Sequence, residues 1–149
     1  MRDKGHGIGD MGKQPPTLPA SHPHEKLLAW QRSMELVAQC YGLARSFPDD
    51  QRYGLVSQIQ RASVSVPANI AEGAARNGWA ETRHFYVIAT SSLMELDTLV
   101  MLAHQLGFAS QQSTAEVRSR ITVVSKLLNG MIRYQTHRGR KTVAKKVDG

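Results

Sequence analysis

The sequence predicts an all-α protein, an antiparallel up-down-up-down four-helix bundle, and three observations carry that prediction. Apolar residues recur at steps of three and four along four separate runs, the spacing that lines up one face of a helix. Proline, glycine and aspartate cluster between the runs, where a helix has to stop. The one alternating stretch, Ser63-Val-Ser-Val66, has no second strand to pair with and reads as part of a helix. With 149 residues the chain is long enough to bury a core of its own without disulfide or metal.

Residues 1–23 hold Gly5, Gly7, Gly9 and Gly12 and four of the six prolines, with few large apolar side chains. Such a segment buries too little surface to offset its ordering entropy, so a disordered leader is expected there. The bundle is expected over residues 24–136. Its first helix takes Leu27, Trp30, Met34, Val37, Tyr41 and Ala44 as the inward stripe and stops at Phe47-Pro48, with Asp49-Asp50 beyond. The second carries Leu55, Ile59, Ala62, Val66, Ile70, Ala71 and Ala74, and Pro67 within it predicts a kink. The third has Phe85, Ala89, Ser92, Leu96, Leu99, Ala103 and Leu106, closed by Gly107 where a helix end takes positive φ. The fourth opens on the capping-box spacing Ser113-Thr-Ala-Glu116 and continues through Val117, Ile121, Val124, Leu128, Met131 and Gln135. Short loops between helices place sequence neighbours antiparallel. A basic disordered tail is expected over 137–149.

The composition narrows the function classes. A single cysteine, Cys40, makes no internal disulfide and points to a reducing compartment, the cytoplasm. No run approaches the ~20 continuous apolar residues of a membrane span, and the first residues lack a signal peptide's apolar core, so no membrane partner is expected. The net charge is +7. Residues 1–23 net +1, residues 24–135 net +2, and the last fourteen net +4 through Arg138, Arg140, Lys141, Lys145 and Lys146 against Asp148. A cationic end of that kind binds polyanions electrostatically, without sequence preference.

Catalytic constellations are sparse. A di-metal bundle needs two Glu-x-x-His spacings plus two further glutamates, and this chain has one, Glu81-Thr-Arg-His84. There is no G-x-S-x-G turn, phosphate-cradling glycine loop or dinucleotide fingerprint, so no enzyme and no cofactor are predicted. Cys40 flanks the first stripe, where a free cysteine serves as a small apolar side chain. Polar residues concentrate instead on helices two and three: Gln58, Arg61, Ser63, Ser65, Asn69 and Glu72 against Thr90, Ser91, Ser92 and Glu95. Antiparallel packing brings Asn69 and Glu72 toward Ser92 and Glu95, a cluster that reads as setting helix register or subunit pairing, with a ligand or RNA contact surface as the alternative. On helix four, Lys126 and Arg133 fall opposite the apolar stripe, Arg140 extends the line by seven residues, and Arg118 and Arg120 flank the seam. Together with Arg138 and Lys141 these form the candidate nucleic-acid-binding set, with Trp79 and Tyr134 as the aromatic side chains available to stack on bases.

The block Arg61-Ala-Ser-Val-Ser-Val-Pro-Ala-Asn-Ile-Ala-Glu-Gly73, with Ser91-Ser-Leu-Met-Glu-Leu96, Leu28-Ala-Trp-Gln31, Phe47-Pro48 and Tyr53-Gly-Leu55, resembles one known family. It is the four-helix bundle proteins encoded by intervening sequences in bacterial 23S ribosomal RNA genes, and the resemblance runs from about Glu25 to Tyr134. Gly78 stands where that family commonly has a serine at the cap of helix three. Arg61, Pro67, Asn69, Glu72, Gly73, Ser92 and Glu95 are the positions that match the family pattern. The resemblance implies a protomer that assembles into a homopentamer, and implies no reaction. A related branch, the accessory variability determinants of diversity-generating retroelements, implies a partner reverse transcriptase and nucleic acid. The reading is therefore a non-enzymatic oligomer that associates with structured RNA, or alternatively an accessory scaffold of a reverse transcriptase.

Overall fold

The four periodic runs are four helices in the computed structural model, which describes residues 18–147. They are α1 (Leu28–Ala44), α2 (Ser57–Ala74), α3 (Trp79–Gln105) and α4 (Gln111–Val147), with no strand among the described residues. Single 3-10 turns cover Pro23–Lys26 and Asp49–Gln51, and a wide helical turn covers Arg52–Val56 ahead of α2. Of the leader, residues 1–17 lie outside the described residues, and residues 18–22 precede the first turn without helix or strand.

Contacts along the seams give the register. Ser65 Oγ lies 2.8 Å from Ser92 Oγ, while Gly73 faces Phe85 and Tyr86, so α2 and α3 run antiparallel. Arg83 Nε donates to Thr136 Oγ1 at 2.9 Å and Arg118 Nε to Asp97 at 2.8 Å, which sets α3 antiparallel to α4. Arg120 reaches Glu35 on α1 at 3.3 Å. The core between the helices is built from Leu36, Ile59, Val66, Ile70, Leu93, Leu96, Val100, Val124 and Leu128, all fully buried. Phe47 and Phe108 close one end, with ring centroids 5.8 Å apart.

Five features differ from the sequence reading. The inward stripe of α1 is Ala29, Ser33, Leu36, Cys40 and Leu43, whereas Met34 and Tyr41 are 46% and 40% exposed. Small residues let α1 approach its neighbours, and Ser33 satisfies its hydroxyl on Trp30 O at 2.7 Å, so polarity did not exclude it from the core. The inward stripe of α3 ends at Ala103, because Leu106, read as its last member, is 59% exposed; α2 runs helical through buried Pro67, and non-helical backbone lies ahead of it at Gly54 (φ −108°, ψ −110°). The cap of α4 is Ser110, whose Oγ accepts from Ser113 N at 3.1 Å, so the helix begins one turn before the predicted capping box. At the other end α4 stays helical through Val147 where a disordered tail is expected from residue 137.

That extension has a packing reason. Gly139 is buried against the indole of Trp79, and a Cβ there would sit 2.7 Å from three ring atoms. The glycine that looks like a helix breaker is the seat of the ring that holds the helix on the bundle. Gly107, with φ +81°, is the left-handed turn after α3 that the sequence predicts.

Among the described residues α3 is also the one helix long and apolar enough, by length and mean hydropathy, to cross a membrane. It carries no ~20-residue run free of charge, since Glu81, Arg83, Glu95 and Asp97 interrupt it. Its apolarity has another origin, two apolar stripes on one helix. Tyr86, Ala89, Leu93, Leu96, Val100 and Ala103 face inward. A second set, Ala80, His84, Val87, Ser91, Met94, Thr98, Met101 and Gln105, steps by four and three along the opposite face, entirely exposed and without an Asp, Glu, Lys or Arg.

Candidate nucleic-acid interface

Helix α4 positions the cationic candidates because its apolar stripe is anchored inward. Val117, Ile121, Val124, Leu128 and Gln135 are buried as the spacing requires, so the remaining positions face outward. Between Glu116 and Asp148 the chain contains no acidic residue. The 37 residues of α4 span about 55 Å at ~1.5 Å per residue, and its last turns project past the start of α3.

The seven candidates divide into three groups. Arg118 is chelated by Asp97 (Nε–Oδ1 2.8 Å, Nη2–Oδ2 3.3 Å), and that bond holds its guanidinium pKa above the usual range. Arg120 shares Glu35 with Arg32, at 3.3 and 2.9 Å. These two are partly neutralised by carboxylates from α3 and α1, which spacing along α4 alone does not reveal. Among the described residues Arg138 has only a neutral partner, donating to Gln135 Oε1 at 3.1 Å. Lys126, Arg133, Arg140 and Lys141 are exposed and have no carboxylate partner among the described residues. Lys145 and Lys146, at the helix end, join them and favour the negative pole of the helix dipole. The cationic surface therefore lies on the C-terminal half of α4 and its extension.

Of the two aromatic candidates, Trp79 is occupied by Gly139, whereas Tyr134 is 63% exposed between Arg133 and Arg138.

The polar residues of α2 and α3 separate in the same way. Asn69 Nδ2 donates to Ser65 O at 2.8 Å and to Ser65 Oγ at 3.0 Å, and Ser65 meets Ser92 across the helix pair. This chain of bonds is satisfied and half buried, a register lock between the helices. Glu72 instead pairs with Arg76 on the surface at 3.4 Å, and Glu95 and Arg61 are exposed without a partner among the described residues. Gly73 has a steric role: a Cβ would lie 2.7 Å from Tyr86 Cε1 and 3.1 Å from Phe85 Cβ, so only glycine lets α2 and α3 approach there. Pro67 is buried within α2. The proposed juxtaposition thus holds for Asn69 and Ser92, through Ser65, and not for Glu72 and Glu95.

Among the described residues no three His, Cys, Asp or Glu side chains converge, and His84 lies edge-on to Phe85 at 5.7 Å. Burial pushes the Cys40 thiol up to about 12, where it is an uncharged core group at physiological pH.

A comparison with curated proteins finds no match. Among solved structures the chain is similar to a protein of unknown function from the S23 ribosomal protein family of Bacteroides thetaiotaomicron VPI-5482, at 21% identity with a TM-score of 0.66. The similarity covers 70% of this chain and 98% of that one, and at this identity it shows the fold alone. The family model described as 23S rRNA-intervening sequence protein matches residues 25–130, which takes in α1, α2, α3 and most of the buried stripe of α4 and leaves the cationic extension outside. The chain belongs to the 23S rRNA-intervening sequence protein family.

Proposed function

We propose that the protein is a non-enzymatic oligomer that binds structured RNA through the C-terminal half of α4. One observation carries the reading: Lys126, Arg133, Arg140, Lys141, Lys145 and Lys146 are exposed along the part of α4 that follows Glu116, which holds no acidic residue, and have no carboxylate partner among the described residues. Unpaired cations on a rigid rod bind phosphates with release of counterions, and the helix fixes their spacing before contact. Arg118 and Arg120 contribute less, because Asp97 and Glu35 already hold them. Self-association uses the uncharged outer stripe of α3. Exposed Val87, Met94 and Met101 at seven-residue spacing form a seam of the kind helices bury against one another. A homopentamer, as the family resemblance implies, multiplies the cationic helices in one particle and raises avidity.

The test is binding of a structured ribosomal RNA fragment across a salt series. The comparison is with a variant in which Arg140, Lys141, Lys145 and Lys146 are all changed to glutamine, which keeps the helix and removes the charge. The variant is expected to bind more weakly and with a shallower slope, by about one unit in log K against log salt for each phosphate it no longer neutralises. Equal affinity and equal slope for both proteins rule the extension out as the binding element.

A further inference from the structure

Where α4 leaves the family-matched region, its Leu127–Arg138 stretch does not close completely on α1 and α3. Two adjoining cavities remain, of about 380 Å³ and 210 Å³, which share Leu27, Tyr86 and Gln135 as walls. The larger lies within the ~300–1,000 Å³ of small-ligand sites. Its floor is apolar (Leu27, Leu127, Met131), Tyr134 forms the rim, and Gly130 leaves one side without a side chain. No acidic residue lines either cavity, and Arg138 and Arg76 line the smaller one.

Two buried residues in these walls carry a hydrogen-bond donor with no protein acceptor among the described residues. Tyr86 is 4% and Gln135 7% exposed. The Tyr86 hydroxyl makes no hydrogen bond among the described residues, and burial pushes its pKa up, so it is a protonated donor at neutral pH. Gln135 accepts from Arg138 through Oε1, while its Nε2 amide has no acceptor among the described residues. Neither atom is sealed off from solvent: among the described residues the one sealed and unpartnered side-chain polar atom is Gln39 Oε1 on α1. Both donors belong to residues that line the two cavities. A buried donor without an acceptor costs stability unless water or a ligand supplies one.

An apolar slot with an aromatic rim, two uncharged donors inside and a guanidinium at its end matches a flat heteroaromatic ring with acceptor atoms on its edge and an anion attached. We infer that the groove takes one unpaired nucleotide, its base stacked on Tyr134 with its edge toward the Gln135 amide and the Tyr86 hydroxyl, and its phosphate at Arg138. Arg138 suits the phosphate better than Arg76, whose charge is shared with Glu72 and which lies over the Phe85 ring at 4.8 Å. The inference rests on the RNA reading and adds to it: charge along α4 holds the backbone, and this groove selects a base that is free of pairing.

The experiment uses the full-length protein, a labelled ten-nucleotide RNA of mixed sequence, the same strand annealed to its complement, and AMP and CMP as free nucleotides. Tyr134→Ala removes an exposed ring, and Tyr86→Phe removes one hydroxyl while keeping the packing. Single-strand binding is expected to weaken about tenfold in Tyr134→Ala, the size of one base stack, and severalfold in Tyr86→Phe. The salt slope and duplex binding should stay as in the unmodified protein. If AMP or CMP shifts the Tyr86 and Met131 resonances as the oligonucleotide does, the groove is a nucleotide site whose ligand is also taken free. If both variants bind single strands as tightly as the parent, the groove assignment is overturned while the RNA reading stands. Absence of RNA binding at every salt concentration overturns the RNA reading, and with no AMP or CMP shift either, the groove assignment falls as well.

Discussion

Gly139 shows how a single position decides the fate of a helix end. Alanine in a helix interior is favoured over glycine by roughly 0.5–1 kcal/mol. Here its methyl would meet three Trp79 ring atoms at 2.7 Å, and overpacking of that kind costs about 1–3 kcal/mol. The clash wins, so Gly139→Ala should lower the melting temperature and the helical signal together, where propensity alone predicts a rise. Thermal denaturation followed by circular dichroism checks it. Cys40 gives a second prediction at this scale. Fully buried, with its thiol pushed up to about 12, it should react with a thiol reagent at pH 8 only when the chain is unfolded in denaturant. Labelling of the native protein at the rate of a free thiol would contradict the burial. Glu25 carries the pH dependence of the first turn. Its carboxylate accepts from the backbone amides of His22 and Ser21, the main reason its pKa lies below the ordinary value. A lowered folded-state pKa stabilises the turn above the unfolded value, and that contribution is lost as pH falls through the folded one. The His22 and Ser21 amide resonances should therefore move in acid, below the usual carboxylate range.

Among the helices, α3 and α4 each carry a second face that the protomer core does not use. On α3 it is the exposed uncharged line through Val87, Met94 and Met101. A charge introduced there leaves the inward stripe untouched, so Met94→Glu should preserve helicity and reduce the particle mass measured by light scattering. Unchanged mass would place the subunit contact elsewhere. On α4 the second face is cationic, and its value depends on what other helices put beside it. The run from Arg118 to Arg140 reads as one stripe along the sequence. Asp97 on α3 and Glu35 on α1 divide it into a partly neutralised start and a free C-terminal half. The α2–α3 pair shows the same dependence. Ser92→Ala removes one bond while Asn69 still holds Ser65, so a loss of about 1 kcal/mol is expected from chemical denaturation, well short of unfolding.

At the scale of the molecule, helix number, the inward stripes of α2 and α4, that of α3 between Ala89 and Ala103, and the Gly107 turn were legible in the sequence, whereas Leu106 is exposed. Each follows from periodicity and backbone chemistry within a few residues. The acid-free run after Glu116 was equally legible, and so was the family, through the block from Arg61 to Gly73. What the tertiary structure decided depends on contacts between residues far apart in the chain. The inward face of α1 turned on Ser33 and Cys40, small residues with less apolar surface than Met34 and Tyr41 that pack between neighbouring helices. The extension of α4 turned on Trp79 covering Gly139, sixty residues away. The placement of free charge turned on Asp97 and Glu35, and the groove on Tyr86 and Gln135 meeting from two helices. Local sequence sets what each segment can form, because helix signals act over one or two turns. Which face is buried, which charge is neutralised and where a cavity opens are properties of pairs of segments, and they are fixed only when the helices pack.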